Sequence, residues 1–316
     1  MNRKTWLWVI GLSVVGLLIC GGLIGLGIWA STLEGGSGPA FGDAVAVVRI
    51  EGTIVPGEAP QPNPFSPNIG GAYSQQVIEH LKRANEDEDV KAVVLYVDSP
   101  GGSVFASDEI YLQIKEMDKP IITSMNSLAA SGGYYVSAPT DEIWASRHTL
   151  TCSIGVIFQF PNIEGFAEEY GVDWITVTSG QFKDLGNPFK EFTPAEETLM
   201  QAIVDEAFAE FVRIVAEGRG MSESEVREIA DGRICTGKQA QEAGLVDELG
   251  YFPEVVERAA ELGGIEGEPR IIEYTSQPGF LEALGASLNR PTPVQELKEV
   301  LNFHAGSPLM YLYVGP

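Results

Sequence analysis

Ser131 is the residue of this chain that is best placed to act as a nucleophile. It lies in Ala129–Tyr135 (AASGGYY), where a predicted apolar strand turns abruptly into a predicted helix. Its small neighbours would let a substrate backbone approach, and the N–H of Gly132 would point the same way as the hydroxyl. A serine at a helix start can instead be an N-cap, and the G-x-S-x-G nucleophile elbow is absent because Ala129 stands at its first glycine. The motif alone allows both interpretations.

A histidine base for this serine is not obvious. His80 ends a predicted surface helix, His304 lies in the C-terminal tail, and His148 follows a short predicted strand at an exposed turn. His148 is therefore the histidine that remains as an alternative base.

A lysine can replace histidine if its amine is neutral, which requires desolvation or a nearby cation to lower the ordinary lysine pKa of about 10.4. Lys183 is the candidate, because it lies in a loop after a predicted strand beside the apolar Phe182 and Leu185. Lys190 is the alternative, but its neighbour Glu191 indicates an ordinary solvated pair. Lys183 itself could also be a surface lysine, as most lysines are.

Two further segments could support such chemistry. Asp98–Gly102 (DSPGG) closes a predicted buried strand and opens a helix. Its backbone N–H groups could bind a developing oxyanion, or the segment could be only a turn. Ser153, in Thr151–Val156 (TCSIGV), could hold a lysine amine by a hydrogen bond, or its hydroxyl could bond to its own backbone.

Apolar runs and helical periodicities alternate along the chain. Val90–Val97 is nearly all apolar, the pattern of a strand that is buried on both faces. The predicted strands are Ala44–Val55, Val90–Val97, Pro120–Met125, Glu142–Ala145, Ile154–Gln159 and Trp174–Val177. The predicted helices begin at Ser74 or cover Ala106–Met117, Ser131–Ala138, Ala195–Glu217, Ser222–Ile229, Lys238–Ala243 and Glu254–Leu262. This alternation predicts an α/β fold with a parallel sheet and flanking helices.

The N-terminus has the features of a membrane anchor. Residues 5–30 carry no charge and exceed the roughly 20 residues that a helix needs to cross a bilayer. Arg3 and Lys4 precede this run and acidic residues follow it, so the positive-inside rule places residues 1–4 in the cytoplasm. The run is too long for the apolar part of a cleaved signal peptide. We therefore expect a single-pass cell-membrane protein whose remaining chain is extracytoplasmic.

The 316 residues predict one large domain with appendages. A Gly/Ser/Pro-rich linker covers residues 31–43, the folded domain residues 44–278 and a looser extension residues 279–316. The apolar end of this extension, Leu309–Val314, prompts the hypothesis that the C-terminus docks in a peptide groove, its own or a neighbour's.

Charge and cysteine content exclude several classes of protein. The formal net charge is -24, which argues against nucleic acid or an anionic lipid surface as the main partner. Cys20 lies in the predicted membrane segment, and we expect Cys152 and Cys235 to be buried free thiols rather than a disulfide. Without C-x-x-C or metal-ligand spacing, no metal and no cofactor are expected.

The order of the motifs is more informative than any one of them. Four motifs come first along the chain: DSPGG, AASGGYY, TCSIGV and SGQFKDLG. Three more follow them: ADGR at 230–233, TGKQA at 236–240 and GLVDELG at 244–250. This combination resembles the signal peptide peptidase A family of membrane-anchored serine peptidases, over about Ala44 to Ile272. The resemblance implies a ClpP/crotonase-like fold, and a serine–lysine dyad that needs no cofactor.

The resemblance also implies roles for particular residues. Ser131 would be the nucleophile, Lys183 the general base and acid, and Ser153 the residue that positions the lysine amine. The backbone N–H groups of Gly102 and Gly132 would form the oxyanion hole. One departure is Cys152, which stands where a glycine is common and adds bulk near the lysine.

Assembly and substrates are likewise implied by the family. Its compact, single-copy form builds a ring, typically an octamer, in which neighbouring subunits supply the serine and the lysine of one site. Substrates would be cleaved signal peptides and other apolar peptides at the outer face of the cytoplasmic membrane. The alternatives are an inactive peptidase-fold scaffold protein and a crotonase-type acyl-CoA enzyme, which would need no serine–lysine pair.

Overall fold

The computed structural model describes residues 42–59, 70–274 and 309–313. The predicted transmembrane segment 5–30, nearly all of the linker, and residues 279–308 of the C-terminal extension lie outside these residues. Among the helices that the model describes, none is long and apolar enough to span a membrane.

Strands and helices alternate through the described chain. The strands are β1 (Ala44–Glu51), β2 (Ile54–Val55), β3 (Ala72–Tyr73), β4 (Val90–Ser99), β5 (Gly101–Ser103), β6 (Ile121–Ala129), β7 (Glu142–Ala145), β8 (Leu150–Cys152), β9 (Ile157–Phe158), β10 (Ile234–Thr236), β11 (Glu248–Leu249), β12 (Arg270–Tyr274) and β13 (Leu309–Leu312). The helices are α1 (Ser74–Glu86), α2 (Val104–Lys115), α3 (Gly132–Ser137), α4 (Glu164–Glu169), α5 (Pro194–Arg219), α6 (Glu223–Ile229), α7 (Gly237–Glu242) and α8 (Phe252–Leu262).

The larger sheet is mainly parallel. Its strand order is β10-β8-β6-β4-β1-β12, with β7 also paired to β6 and β11 to β7. All of these pairs are parallel except β10 with β8. The predicted parallel sheet with flanking helices is confirmed.

Apolar side chains cover both faces of this sheet. On one face, alternate residues of β1 pack with residues of α1, α2 and α3. On the other face, Val45 and Val47 pack against Val255 and Ala259 of α8. The central strands are therefore buried on both sides, as the apolar run Val90–Val97 predicts.

A smaller sheet lies at the carboxyl ends of β4 and β6. Its order is β3-β2-β5-β13-β9, and β13 pairs antiparallel with both β5 and β9. The C-terminal strand Leu309–Leu312 thus fills the space between a strand of the DSPGG segment and a strand that follows TCSIGV.

Three strand predictions need correction. The run Ala44–Val55 is two strands, β1 and β2, because the chain bends at Gly52 and Thr53 between them. Ile154–Gln159 is a strand only at Ile157–Phe158. Trp174–Val177 is no strand, since it has no strand partner among the described residues, and the Trp174 ring instead stacks on Phe189 with centroids 4.5 Å apart.

Candidate active site

Ser131 lies between the end of β6 and the start of α3, in a strained backbone conformation. Its φ and ψ are 54° and -114°, a region that non-glycine residues rarely adopt and that clusters at functional sites. The residue is at the N-cap position of α3, but its hydroxyl makes no capping hydrogen bond. The hydroxyl is therefore not used to cap the helix.

Backbone hydrogen bonds fix this turn from both sides. The Ser131 N–H donates to the Cys152 carbonyl at 2.9 Å, and the Ser131 carbonyl accepts from the Tyr135 N–H at 2.8 Å. The Ala130 N–H donates to the Ser99 carbonyl at 3.0 Å. The turn is thus tied to both the DSPGG and the TCSIGV segments, which places these three motifs together.

The segment around Ser153 shares the same strain. Ser131, Cys152 and Ser153 are the non-glycine residues with positive φ in the described chain, and the last two have φ of 65° and 53°. Since Ser131 bonds to Cys152 and Ser153 follows it, all three strained residues form one cluster. The Ser153 N–H is held by the Arg233 carbonyl at 2.8 Å.

Cys152 and Cys235 form a disulfide bond, with their Cα atoms 5.6 Å apart. The prediction of two free thiols is wrong. The antiparallel pairing of β8 with β10 sets Cys152 opposite Ile234, directly beside Cys235. Two residues 83 positions apart in sequence become neighbours in this way, and their spacing along the chain gives no sign of it.

Close backbone packing joins the DSPGG segment to Gly132. The Ser99 hydroxyl donates to the Gly52 carbonyl at 2.6 Å and accepts from the Gly101 N–H at 3.1 Å, which shapes the turn. Gly101 has a φ of +93°, and a Cβ there would lie 2.5 Å from the Gly132 nitrogen. Only glycine fits such an approach. This packing sets the DSPGG segment directly against the start of α3.

The C-terminal strand lies against these glycines. Tyr311 is opposite Gly102 in the β13–β5 pairing. Its carbonyl oxygen would be 2.1 Å from a Cβ on Gly101 and 3.0 Å from a Cβ on Gly132. The Tyr313 N–H donates to the Pro100 carbonyl at 2.7 Å. An extended peptide thus runs past the strained serine turn with one carbonyl at the glycines.

An aromatic pocket holds the Tyr311 side chain. Its ring stacks on Tyr135 and packs against Phe211, each with centroids 4.7 Å apart, and its hydroxyl donates to the Ala207 carbonyl at 2.9 Å. The Tyr135 hydroxyl in turn donates to Asp108 at 2.8 Å. Burial raises the pKa of both tyrosines, so they stay neutral. The pocket therefore suits a large apolar or aromatic side chain.

Lys183 is not joined to this cluster. Its side chain is exposed, and in the described part of the chain its amine makes no hydrogen bond or ion pair; its N–H donates to the Gly180 carbonyl at 3.1 Å. Lys190 is paired with Glu196 at 2.7 Å and with Asp184 at 2.9 Å, and these hydrogen bonds raise the pKa of its amine. A lysine whose charged form is so stabilised is a poor base.

The histidines do not supply a base in the described chain either. His148 is exposed in a turn, and the contact found there is its backbone N–H donating to the Ser146 hydroxyl at 3.2 Å. His80 stacks on Tyr274 of β12, away from the serine turn. No cluster of histidine, cysteine, aspartate or glutamate side chains in the described residues is arranged to hold a metal ion.

Several residues that build the site were not singled out from the sequence. Ser99 shapes the glycine turn and Tyr311 fills the pocket. Ser99 could have been found from its place between a buried strand and two glycines. Tyr311 lies in the apolar run Leu309–Val314 that was expected to dock in a groove, but its contacts with Tyr135 and Phe211 could not be predicted, because these partners are distant in the chain.

The chain matches two peptidase families. Residues 113–266 match the model of peptidase family S49, and residues 65–157 match that of Clp protease. Over 186 residues the chain is 44% identical to "Putative signal peptide peptidase SppA" of Enterococcus faecium, covering 58% of this chain and 54% of that protein. Over 219 residues it is 37% identical to a "Putative protease" of Methanocaldococcus jannaschii, covering 66% and 70%.

A longer match is with "Protease 4" of Haemophilus influenzae, which is 32% identical over 279 residues, or 82% of this chain and 44% of that protein. The chain thus spans about half the length of the Enterococcus and Haemophilus relatives. Ser131, Gly132 and Ser153 lie within both family matches. Gly101 and Gly102 fall only in the Clp protease match, and Lys183 falls only in the S49 match.

Proposed function

The chain belongs to peptidase family S49, and on that premise we propose that it is a membrane-anchored serine endopeptidase with Ser131 as nucleophile and Lys183 as general base and acid. The observation that carries this proposal is the strained Ser131 turn, whose hydroxyl is free of capping bonds and which lies beside two close-packed glycines. An extended peptide segment already runs along these glycines.

In the proposed reaction, the neutral Lys183 amine takes the proton of the Ser131 hydroxyl as Oγ bonds to the scissile carbonyl carbon. The N–H groups of Gly102 and Gly132 donate to the resulting oxyanion. When the C–N bond breaks, the lysine ammonium returns this proton to the leaving amine. A water molecule then hydrolyses the acyl-serine ester, with the lysine again moving the proton and Ser153 holding its amine.

Lys183 would reach the site from a neighbouring subunit. The support for this is that Lys183 is exposed and unpaired in the described chain, although Ser131 is buried. The segment around it also exposes an unusual amount of apolar surface, here called the assembly surface. Its residues are Phe166, Tyr170, Val172, Trp174, Ile175, Val177, Phe182, Phe192, Leu199 and Ile203. Apolar patches of this kind mark contact surfaces, so we propose a ring of identical subunits, with eight as the expected number.

The substrate class follows from the groove that β13 fills. An antiparallel strand between β5 and β9 would bind any extended peptide through its backbone. The aromatic pocket around Tyr311 would take a large apolar side chain. Cleaved signal peptides have these properties, and the Enterococcus relative bears the name of a signal peptide peptidase. We therefore propose signal peptides and other apolar peptides as substrates, with the C-terminal strand as a competing occupant of the groove.

We propose that the catalytic domain acts at the outer face of the cytoplasmic membrane. The Cys152–Cys235 disulfide supports this location, since disulfides persist in oxidising compartments. The uncharged run 5–30 supports the anchor.

Two variants of the full chain test the dyad. Ser131→Ala and Lys183→Ala should each abolish hydrolysis of an apolar fluorogenic peptide, whereas Lys190→Ala is the matched lysine control and should keep most of the rate. The rate should also rise with pH towards a plateau, because only the neutral amine can accept the serine proton. Full hydrolysis by either dyad variant would refute the assignment of these two residues. A wild type that hydrolyses no peptide would instead favour the inactive-scaffold or acyl-CoA alternatives.

Sharing of the site between subunits has its own test. Ser131→Ala and Lys183→Ala chains, inactive alone, should regain activity when they are mixed and co-assembled, because some interfaces then pair an intact serine with an intact lysine. If the mixture stays as inactive as its components although the chains co-assemble, the lysine comes from the same chain as the serine.

A further inference from the structure

Ser107 is a buried serine with an unsatisfied hydroxyl. It lies in the first turns of α2 and is fully buried. Three buried side-chain polar atoms in the described residues lack a hydrogen-bond partner: the Ser107 hydroxyl and one nitrogen each of Arg219 and Arg270. Both arginines are paired through another nitrogen, with Asp247 and Asp89. Of these three residues, Ser107 is the one whose side chain has no other polar atom, so its side chain makes no hydrogen bond.

Such an atom costs stability, because its bonds to water are lost on folding and nothing replaces them. Other buried serines of this region avoid the cost. The Ser137 hydroxyl donates to the Gly133 carbonyl at 2.7 Å, and the Ser103 hydroxyl accepts from the Ala106 N–H. An alanine at position 107 would fill nearly the same space without the penalty, so the hydroxyl calls for a function.

The Ser107 hydroxyl points at Gly132. A Cβ on Gly132 would lie 2.8 Å from the Ser107 Oγ and 3.0 Å from the Tyr311 carbonyl oxygen. Both oxygens therefore lie on the face of Gly132 that a methyl group would fill. A serine hydroxyl is a donor that can rotate towards an acceptor, and the acceptor on this face is the carbonyl of the peptide in the groove.

We propose that the Ser107 hydroxyl is a third hydrogen-bond donor for the oxyanion, beside the N–H groups of Gly102 and Gly132. This inference rests on the proposed peptidase function. In the structure the hydroxyl makes no bond to the Tyr311 carbonyl, which stands in for a ground-state substrate carbonyl. When that carbon becomes tetrahedral, its oxygen moves and gains negative charge. A donor that engages only then lowers the barrier without tightening substrate binding.

The test compares kcat, KM and the melting temperature of full-chain variants. Ser107→Ala should lower kcat by about 100- to 1000-fold with KM changed by less than about threefold. Its melting temperature should equal or exceed that of the wild type, because an unsatisfied hydroxyl is removed. The matched control Ser137→Ala removes a satisfied buried hydroxyl, so it should lower the melting temperature and leave kcat nearly unchanged.

Ser107→Cys separates hydrogen bonding from packing. The thiol fills the position of the hydroxyl, with a somewhat larger atom, but is a weak donor, so the loss in kcat should resemble that of Ser107→Ala. The inference is overturned if Ser107→Ala keeps kcat within twofold of the wild type, or if Ser107→Cys restores the full rate. It is equally overturned if kcat falls only together with the melting temperature.

Ser131→Ala, measured on the same peptide, keeps the two proposals apart. An inactive Ser131→Ala with a fully active Ser107→Ala would overturn only the role of Ser107. A fully active Ser131→Ala would overturn the proposed function itself.

Discussion

Removing the Cys152–Cys235 disulfide should destabilise the folded domain strongly. The bond closes a loop of 83 residues that includes the Lys183 segment and all of α5. In the chain-entropy description, a cross-link over a loop of this length restricts the unfolded chain by about 4.5 kcal/mol at 25 °C. This value is a large part of the stability of a typical domain.

The conformation of Cys152 makes the prediction more specific. Its φ of 65° is in the left-handed region, where a side chain is strained and glycine is not. In the doubly substituted chain Cys152→Ala, Cys235→Ala, the strain remains and the cross-link is lost. In Cys152→Gly, Cys235→Ala, the strain is relieved, so this chain should be more stable than the first by about 1 kcal/mol.

Urea unfolding, followed by tryptophan fluorescence, measures these differences. The wild type should shift to a lower urea midpoint when it is reduced with dithiothreitol, and both double variants should show no such shift. Activity should fall on reduction as well, because the Cys152 carbonyl holds the Ser131 N–H. The reasoning would be refuted if the free energies of unfolding of the wild type and the alanine double variant differed by less than about 1 kcal/mol and the wild type did not respond to reductant.

Three further predictions concern the glycine turn, an acid-sensitive ion pair and the C-terminal strand. Gly101→Ala should lower the free energy of unfolding by more than about 2 kcal/mol and abolish peptidase activity, because its Cβ would meet backbone atoms at 2.1 and 2.5 Å. A variant that is stable in thermal unfolding and active in rate assays would contradict this packing. The hydrogen bond from Lys190, together with those from Thr193, lowers the pKa of Glu196 to about 2, so its contribution to stability is complete above about pH 4.5 and lost as the pH falls towards 2. Melting temperatures from pH 6 to 2 should therefore fall less steeply for Glu196→Gln than for the wild type, and equal slopes would count against this ion pair. Deleting residues 306–316 should empty the groove and raise the initial peptidase rate several-fold, whereas an unchanged rate together with unchanged assembly would rule out the tail as an occupant.

Much of the core architecture could be predicted from the sequence, because local pattern determines it. Val90–Val97 is apolar throughout since both of its faces are buried, and α5 (Pro194–Arg219) extends the predicted helix Ala195–Glu217 by one residue at its start and two at its end. The serine turn was also visible locally, as small residues between an apolar strand and a helix. The predicted strand at Trp174–Val177 failed because β-forming residues there have no strand to pair with in the described chain.

The parts that the sequence did not reveal depend on contacts between distant segments. The disulfide needs the β8–β10 pairing, and the role of Ser107 is visible only once α2 is packed against Gly132. The strain at Ser131, Cys152 and Ser153 is likewise a tertiary property, since none of these residue types favours positive φ by itself. The resemblance already implies that Lys183 and Ser131 of one chain serve different sites, and the fold adds that Lys183 is exposed and unpaired among the described residues.

The most direct test of the central claim is to locate the nucleophile by covalent labelling. A fluorophosphonate should transfer one phosphonyl group per chain to the Ser131 Oγ with loss of fluoride, and peptide mass spectrometry should find the adduct in the fragment that contains Ser131. The same label should be absent from Lys183→Ala, in which nothing removes the serine proton. Labelling of another serine, or an unlabelled Ser131 in a chain that hydrolyses peptide at full rate, would contradict the account.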